Sequence, residues 1–299
     1  MKNLKKYSLF LGCTIPVRAM NYEISARRVL EVLEVPLQEI EEFTCCGYPV
    51  ESVDEITSLT ASAKNLALAE KYGTTILTLC SACTGTLTKA KRTLDKNEEL
   101  RKIINDNLAV LGLKYTTKAE VKHIGKFLLE EVTPEKIKEK VVTPLIDVRI
   151  APHYGCHFNK PANIFDHFDD TERPSSLRKL VDAVGATYVV YENLMQCCGG
   201  AVLGVDENLS LTLAKTKLQH VKDAEADAIT LICPFCYLMY DVNQKRIERD
   251  AELQFKIPVL FLPQLIGLAF GLDPKALGIK MNRVKPKDLL KKVETLQAG

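Results

Sequence analysis

Ten cysteines fall in two copies of one order, and that repeat constrains the chain more than any other feature of its 299 residues. Cys13, Cys45, Cys46, Cys80 and Cys83 form the first copy, and Cys156, Cys197, Cys198, Cys233 and Cys236 the second. Gaps of 31 and 33 residues separate the single cysteine, the Cys-Cys pair and the C-x-x-C motif in the first half; the second has gaps of 40 and 34. No cysteine is left over. A repeat of this kind sets the unit count at two. The boundary is expected in the charged stretch Thr133 to Pro144, which divides the chain into residues 1–143 and 144–299. A disulfide scaffold is excluded, because the cysteines are too sparse and adjacent pairs such as Cys45-Cys46 rarely meet disulfide geometry.

The segments around the cysteines repeat as well. Tyr7 to Leu11 and Val148 to Ala151 read as apolar strands leading into Gly12-Cys13 and Gly155-Cys156. Arg28 to Leu33, Leu177 to Val184, Ser58 to Tyr72 and Leu209 to Ala224 carry helical spacing. Thr75 to Leu79 and Ala228 to Ile232 read as buried strands directly before each C-x-x-C, with another helical pattern after it. Strands alternating with helices predict an α/β fold: two pseudo-repeated, Rossmann-like units with parallel sheets covered by helices, each able to bury its own core. Each C-x-x-C then lies at the carboxyl end of a sheet, where such folds place ligands, and on a first helical turn whose free N–H groups suit an anionic group.

Lys and Arg number 40 against 38 Asp and Glu, a net charge of +2, which excludes the basic excess of a nucleic-acid binder. The apolar tract from Ile257 to Leu272 is broken by Pro258 and Pro263 and falls short of the roughly 20 residues a membrane helix needs. No signal-peptide core is visible, so a cytoplasmic protein without a membrane span is expected.

Five thiols per half exceed what one metal group takes. Structural zinc and a cubane [4Fe–4S] cluster each use four protein ligands. The fifth is therefore either a free nucleophile or a ligand of an unusual cluster, and spacing alone leaves both open.

The tandem pattern resembles the CCG-domain pair of the heterodisulfide reductase B-subunit family. It is carried by Leu11-Gly12-Cys13, Thr44-Cys45-Cys46-Gly47, Cys80-Ser81-Ala82-Cys83, His153-Tyr154-Gly155-Cys156-His157, Cys197-Cys198-Gly199-Gly200 and Cys233-Pro234-Phe235-Cys236. The segments Ile257 to Leu265 and Gly271 to Pro274 are similar to that family too. The resemblance implies a non-cubane [4Fe–4S] cluster on the five cysteines of each half. It further implies an enzyme of methanogenic energy metabolism that reduces the coenzyme M–coenzyme B heterodisulfide, CoM-S-S-CoB, to two thiols in a cleft between the clusters. The implied partners are an iron–sulfur C subunit and a flavin-containing, iron–sulfur A subunit that bifurcates electrons, working with a hydrogenase or formate dehydrogenase. Two departures stand out. The gap of 40 residues is long for the family and those of 33 and 34 are short, while no ferredoxin motif occurs, so electrons must come from a partner.

Outside the cysteines, His153 and His157 flank Cys156 and are candidate proton donors. Arg18, Lys160 and Arg173 lie near cysteine motifs in sequence and are candidate ligands for the substrate's sulfonate and phosphate. Lys89, Lys91 and Arg92 read as a wet helix face, Pro258 to Phe270 as core or a partner interface, and the segment from Lys280 as a helical or flexible end. Two other functions fit the pattern: a CCG subunit that only passes electrons in a succinate, lactate or glycolate oxidoreductase, and a zinc-stabilised scaffold.

Overall fold

A computed structural model describes residues 5–298. Strands β1 (Tyr7–Phe10), β2 (Thr75–Thr78) and β3 (Glu120–His123) pair in parallel in the order β1-β2-β3. Strands β4 (Arg149–His153), β5 (Thr187–Tyr188), β6 (Ala228–Leu231) and β7 (Val259–Phe261) form a second parallel sheet in the order β5-β4-β6-β7. A single parallel bridge from Tyr7 to Leu37 occupies in the first half the place that β5 takes in the second. Both halves thus wind in the same way, and the α/β repeat read from the sequence is the observed fold. β1, β2, β6 and β7 are buried along their whole length, which is why the first three read as short apolar runs instead of alternating ones. β3 went unread because Glu120 and Lys122 give this edge strand a polar sequence.

The long helices Glu55–Tyr72 and Glu207–Asp223 start on equivalent caps. Asp54 accepts from Thr57 N at 3.0 Å and Asp206 from Leu209 N at 2.9 Å. Each helix also clamps the turn after its Cys-Cys pair. Ser58 Oγ donates to Gly47 O at 3.1 Å, and Ser210 Oγ to Gly199 O at 2.8 Å. Gly47 and Gly199 are left-handed, with φ of 95° and 81°, and an added Cβ would lie 2.6 Å and 2.7 Å from the Ser58 and Ser210 carbonyl oxygens.

The halves interlock. Helix Met20–Val32 of the first packs on helix Leu262–Ala269 of the second, and helix Ser176–Ala183 of the second packs on Pro134–Glu139 of the first. Tyr22 stacks on Phe261 with ring centroids 3.9 Å apart, and the buried Asn21 amide donates to Tyr237 Oη at 3.1 Å and Asn282 Oδ1 at 2.9 Å. Buried apolar residues accordingly form one continuous core through both halves, where the sequence led us to expect one core per unit. The physical reason is that helix Leu262–Ala269 of the second half and helix Pro134–Glu139 of the first each pack against the other half. The tract Pro258 to Phe270 is part of that core, and the end of the chain closes as helix Lys287–Ala298, with Leu289 and Val293 buried.

Replacing Gly47 or Gly199 by Ala is expected to lower stability by about 2 kcal/mol or more, since each combines left-handed strain with a backbone clash. Gly73→Ala, at a φ of 64° with open space around it, is the control and should lose about 1 kcal/mol. Denaturant unfolding of the metal-free chain measures all three, and equal losses would refute the clash.

Candidate metal centres

Each half gathers its thiols at the carboxyl ends of its central strands. In the first, β1 leads through Gly12 to the exposed Cys13, and β2 leads to Cys80, which caps helix Ser81–Lys96 and stands one turn from Cys83. In the second, β4 leads to the half-exposed Cys156, and β6 to Cys233, the cap of a helix that carries Cys236 and continues into a π turn at Leu238–Val242. Cys80 and Cys233 keep extended backbone, so each sits at the cap instead of inside the first helical turn. Cys46, Cys80 and Cys83 are buried, as are Cys198, Cys233 and Cys236, while Cys45 and Cys197 are half-buried. None of the ten is in a disulfide.

The loop amides turn toward sulfur. Gly47 N donates to Cys45 Sγ at 3.5 Å, Gly199 N to Cys197 Sγ at 3.4 Å, and Gly200 N to Cys198 Sγ at 3.4 Å. Crowding of the thiols divides their protons. Donation from Cys45 holds Cys46 down to about 3, and donation from Cys156 holds Cys197 down to about 2. Cys45 and Cys156 are pushed up by the same contacts. All five thiols of the second half belong to one contacting set, whereas in the first Cys13 stands apart beside Thr14 Oγ1 at 3.8 Å.

Two cavities follow these groups. One of about 50 Å³ is lined by all five second-half cysteines together with His157. The other, of about 10 Å³, is lined by Cys13, Cys46, Cys80 and Cys83. Tyr48, Ala82 and Phe235 line both, so the two thiol groups share a wall built from both halves. Cys80 and Cys233 face each other across the boundary, each setting the other's ionisation. The donor set is all soft thiolate, which fits iron–sulfur chemistry, and the glycine at position 12 leaves room that a Cβ would take, 3.0 Å from Cys83 Sγ.

The candidate histidines separate. His157 reaches the larger cavity, edge-on to Tyr48 at 5.7 Å. His153 is buried behind the thiols with Nε2 3.2 Å from Cys236 Sγ and its Nδ1 unpartnered; burial pushes it down to about 3, so it stays neutral. Of the two candidate proton donors, His153 thus lies against sulfur inside the fold and His157 at the cavity wall. Burial likewise pushes His123 down to about 4, its Nε2 3.0 Å from the carbonyl of Ile232, next to Cys233.

Arg18, Lys160 and Arg173 do not line either thiol cavity. Arg18 borders a separate cleft of about 200 Å³ with Arg283, Lys160 pairs with Glu172 at 2.9 Å, and Arg173 is exposed. Nearness in sequence to a cysteine did not carry them to the site. Lys89, Lys91 and Arg92 form ion pairs with Glu51, Asp95 and Asp166, as a wet face does. Three residues at or behind the site escaped the sequence reading: Tyr48, Phe235 and the fully buried Lys217. Lys217 is anomalous enough on an amphipathic helix to have been a signal.

A family model described as a cysteine-rich domain, CCG, matches residues 7–88 and again residues 150–241. The chain is 37% identical over 300 residues to the B subunit of the ferredoxin/F(420)H(2)-dependent CoB-CoM heterodisulfide reductase of Methanosarcina acetivorans, with 99% of each chain covered. It belongs to the heterodisulfide reductase B-subunit family of tandem CCG proteins. A second relative, the 8-methylmenaquinol:fumarate reductase membrane anchor subunit of Wolinella succinogenes, is 33% identical over 279 residues, covering 93% of this chain and 96% of that one. The crystal structure of a hypothetical protein from Helicobacter pylori shares the fold with a TM-score of 0.76 at 19% identity, over 94% of this chain and 52% of the longer one. Among the described residues, no helix is long and apolar enough to cross a membrane.

His123 and His153 predict a pH dependence. Both bind protons less readily folded than unfolded, so the unfolded state takes up more protons once the pH drops below about 6.5. Stability of the metal-free chain is therefore expected to fall between pH 7 and pH 5, approaching about 1.4 kcal/mol per pH unit for each histidine. His153→Phe should reduce the slope in a denaturant series, and an unchanged slope would refute the neutral-histidine assignment.

Proposed function

We propose that this chain is the disulfide-reducing subunit of a larger redox complex. The five cysteines of residues 1–143 would hold one non-cubane [4Fe–4S] cluster and those of residues 144–299 a second. The observation that carries the reading is the wall shared by the two thiol groups, where Tyr48, Ala82 and Phe235 border both cavities. Cleaving a disulfide takes two electrons and two protons and gives two thiols. Bound to these cysteines, the clusters would supply the electrons one at a time. Two one-electron groups on either side of one shared wall suit that stoichiometry, whereas a relay needs only a chain of sites.

The relatives whose names include CoB-CoM heterodisulfide reductase support the mixed disulfide CoM-S-S-CoB as substrate. His157, on the wall of the larger cavity, would give a proton to a departing thiolate, a reading supported by its position there. Tyr48 and Phe235, with ring centroids 6.4 Å apart, form an aromatic wall between the two thiol groups. Electrons would come from an iron–sulfur C subunit and, behind it, a flavin-bearing A subunit, because this chain has no ferredoxin motif. Identity to the Wolinella succinogenes fumarate reductase subunit supports a second reading, in which the same sites pass electrons without acting on a disulfide.

Chain purified without oxygen is expected to contain about eight irons with matching acid-labile sulfide and no zinc. Cys198→Ser should lose about half of the iron and abolish reduction of CoM-S-S-CoB by a reduced viologen dye. Intact clusters with no heterodisulfide turnover in the assembled complex would favour the electron-passing reading, and zinc in place of iron would end both.

A further inference from the structure

The repeat gives each site an internal control, and the two sites differ where charge matters. Ser58 and Ser210 stand 11 residues after the glycines they clamp. About two turns further along the same helices, Asn65 and Lys217 occupy equivalent places. Asn65 holds the first Cys-Cys loop, with Thr44 N donating to Oδ1 at 2.9 Å and Nδ2 donating to Cys45 O at 3.0 Å. Lys217 holds the second loop through Nζ, which donates to the carbonyls of Asn193 and of Leu194, the latter at 2.9 Å. The mechanical task is the same, but only one of the two residues brings a cation.

That cation is unusual in its surroundings. Lys217 is 0% exposed, and among the described residues no carboxylate pairs with it. Two carbonyls and the Tyr191 ring, 5.0 Å from Nζ, compensate it only in part. A buried ammonium without a counter-charge is costly. Burial pushes Lys217 down to about 8, and the nearby sulfurs of Cys236, Cys198, Cys156 and Cys197 oppose that only in part. Strand β4 repeats the contrast with β1. His153 places Nε2 3.2 Å from Cys236 Sγ, where the equivalent residue of the first half is Phe10, packed edge-on to Phe43. The first half does put a lysine on its loop, Lys64, which donates to Glu42 O at 3.0 Å, but from the solvent side, where water and salt screen it.

We infer that the two thiol sites are held at unequal electrostatic potential, with buried Lys217 and the polar ring of His153 against Cys236 making the second half the stronger electron acceptor. This rests on the cluster reading above and goes beyond it by ranking the two groups. Net charge and hydrogen bonds to sulfur set the potential of thiolate-bound iron. Lys217 and His153 are positioning residues here, acting through the cysteines. The two electrons needed for disulfide cleavage would then load in order, one on the second site first and one on the first site after it.

The test uses the residues the first half already employs. Lys217→Asn and His153→Phe, each prepared anaerobically, are compared with the parent chain by an EPR-monitored redox titration and by iron content. Both substitutions are expected to keep iron unchanged and to lower one of the two midpoints. For Lys217→Asn the drop should reach at least the ~59 mV that corresponds to tenfold in a one-electron equilibrium. The same midpoint should move in both variants. Unmoved potentials with full iron would overturn the inference and leave Lys217 as a loop pin, as would equal shifts of both midpoints. If Lys217→Asn sheds iron, His153→Phe decides alone. A parent chain without iron and sulfide would instead defeat the cluster reading itself, which keeps the two failures apart.

Discussion

The meeting of the two C-x-x-C turns is the constraint on which the rest of the structure depends. Cys80 and Cys233 cap their helices at the boundary between the halves and set each other's ionisation, with Ala82 and Phe235 beside them lining both cavities. Bringing two groups of thiols this close is electrostatically unfavourable once they ionise. The interlocked packing of helix Met20–Val32 on Leu262–Ala269, and of Ser176–Ala183 on Pro134–Glu139, holds them there. The single apolar core offsets that repulsion by burying surface that neither half covers alone.

Within each half, precision comes from short-range devices repeated twice. A serine from the long helix fixes the carbonyl of the left-handed glycine after the Cys-Cys pair, and an aspartate caps that helix. Loop amides then aim at sulfur. The thiols thus sit on backbone whose conformation is set by hydrogen bonds, and little rearrangement is left to be paid for when a metal group binds.

The repeat is also what makes departures from it informative. Where the halves agree, as at Gly47 and Gly199, the requirement is geometric. Where they disagree, as at Phe10 against His153 and Asn65 against Lys217, geometry is satisfied both ways and the difference lies in charge and hydrogen bonding. Two sites built on one plan are therefore not equivalent in chemistry.

Much of this was legible in the chain itself. The cysteine order marked both thiol groups and the family, and buried apolar runs marked β1, β2, β4 and β6, because a central parallel strand must be apolar on both faces. What escaped were features with a polar sequence or ones that depend on long-range packing. β3 is a polar edge strand, Tyr48 and Phe235 form a wall only when the halves meet, and Arg18, Lys160 and Arg173 lie outside the lining of both thiol cavities despite their neighbours in sequence. Sequence alone determined which thiols gather in each half and how each half winds, since spacing and periodicity are local. Tertiary structure decided that the halves share one core, that His153 faces sulfur while His157 faces the cavity, and that Lys217 is buried, because long-range packing sets what each side chain meets.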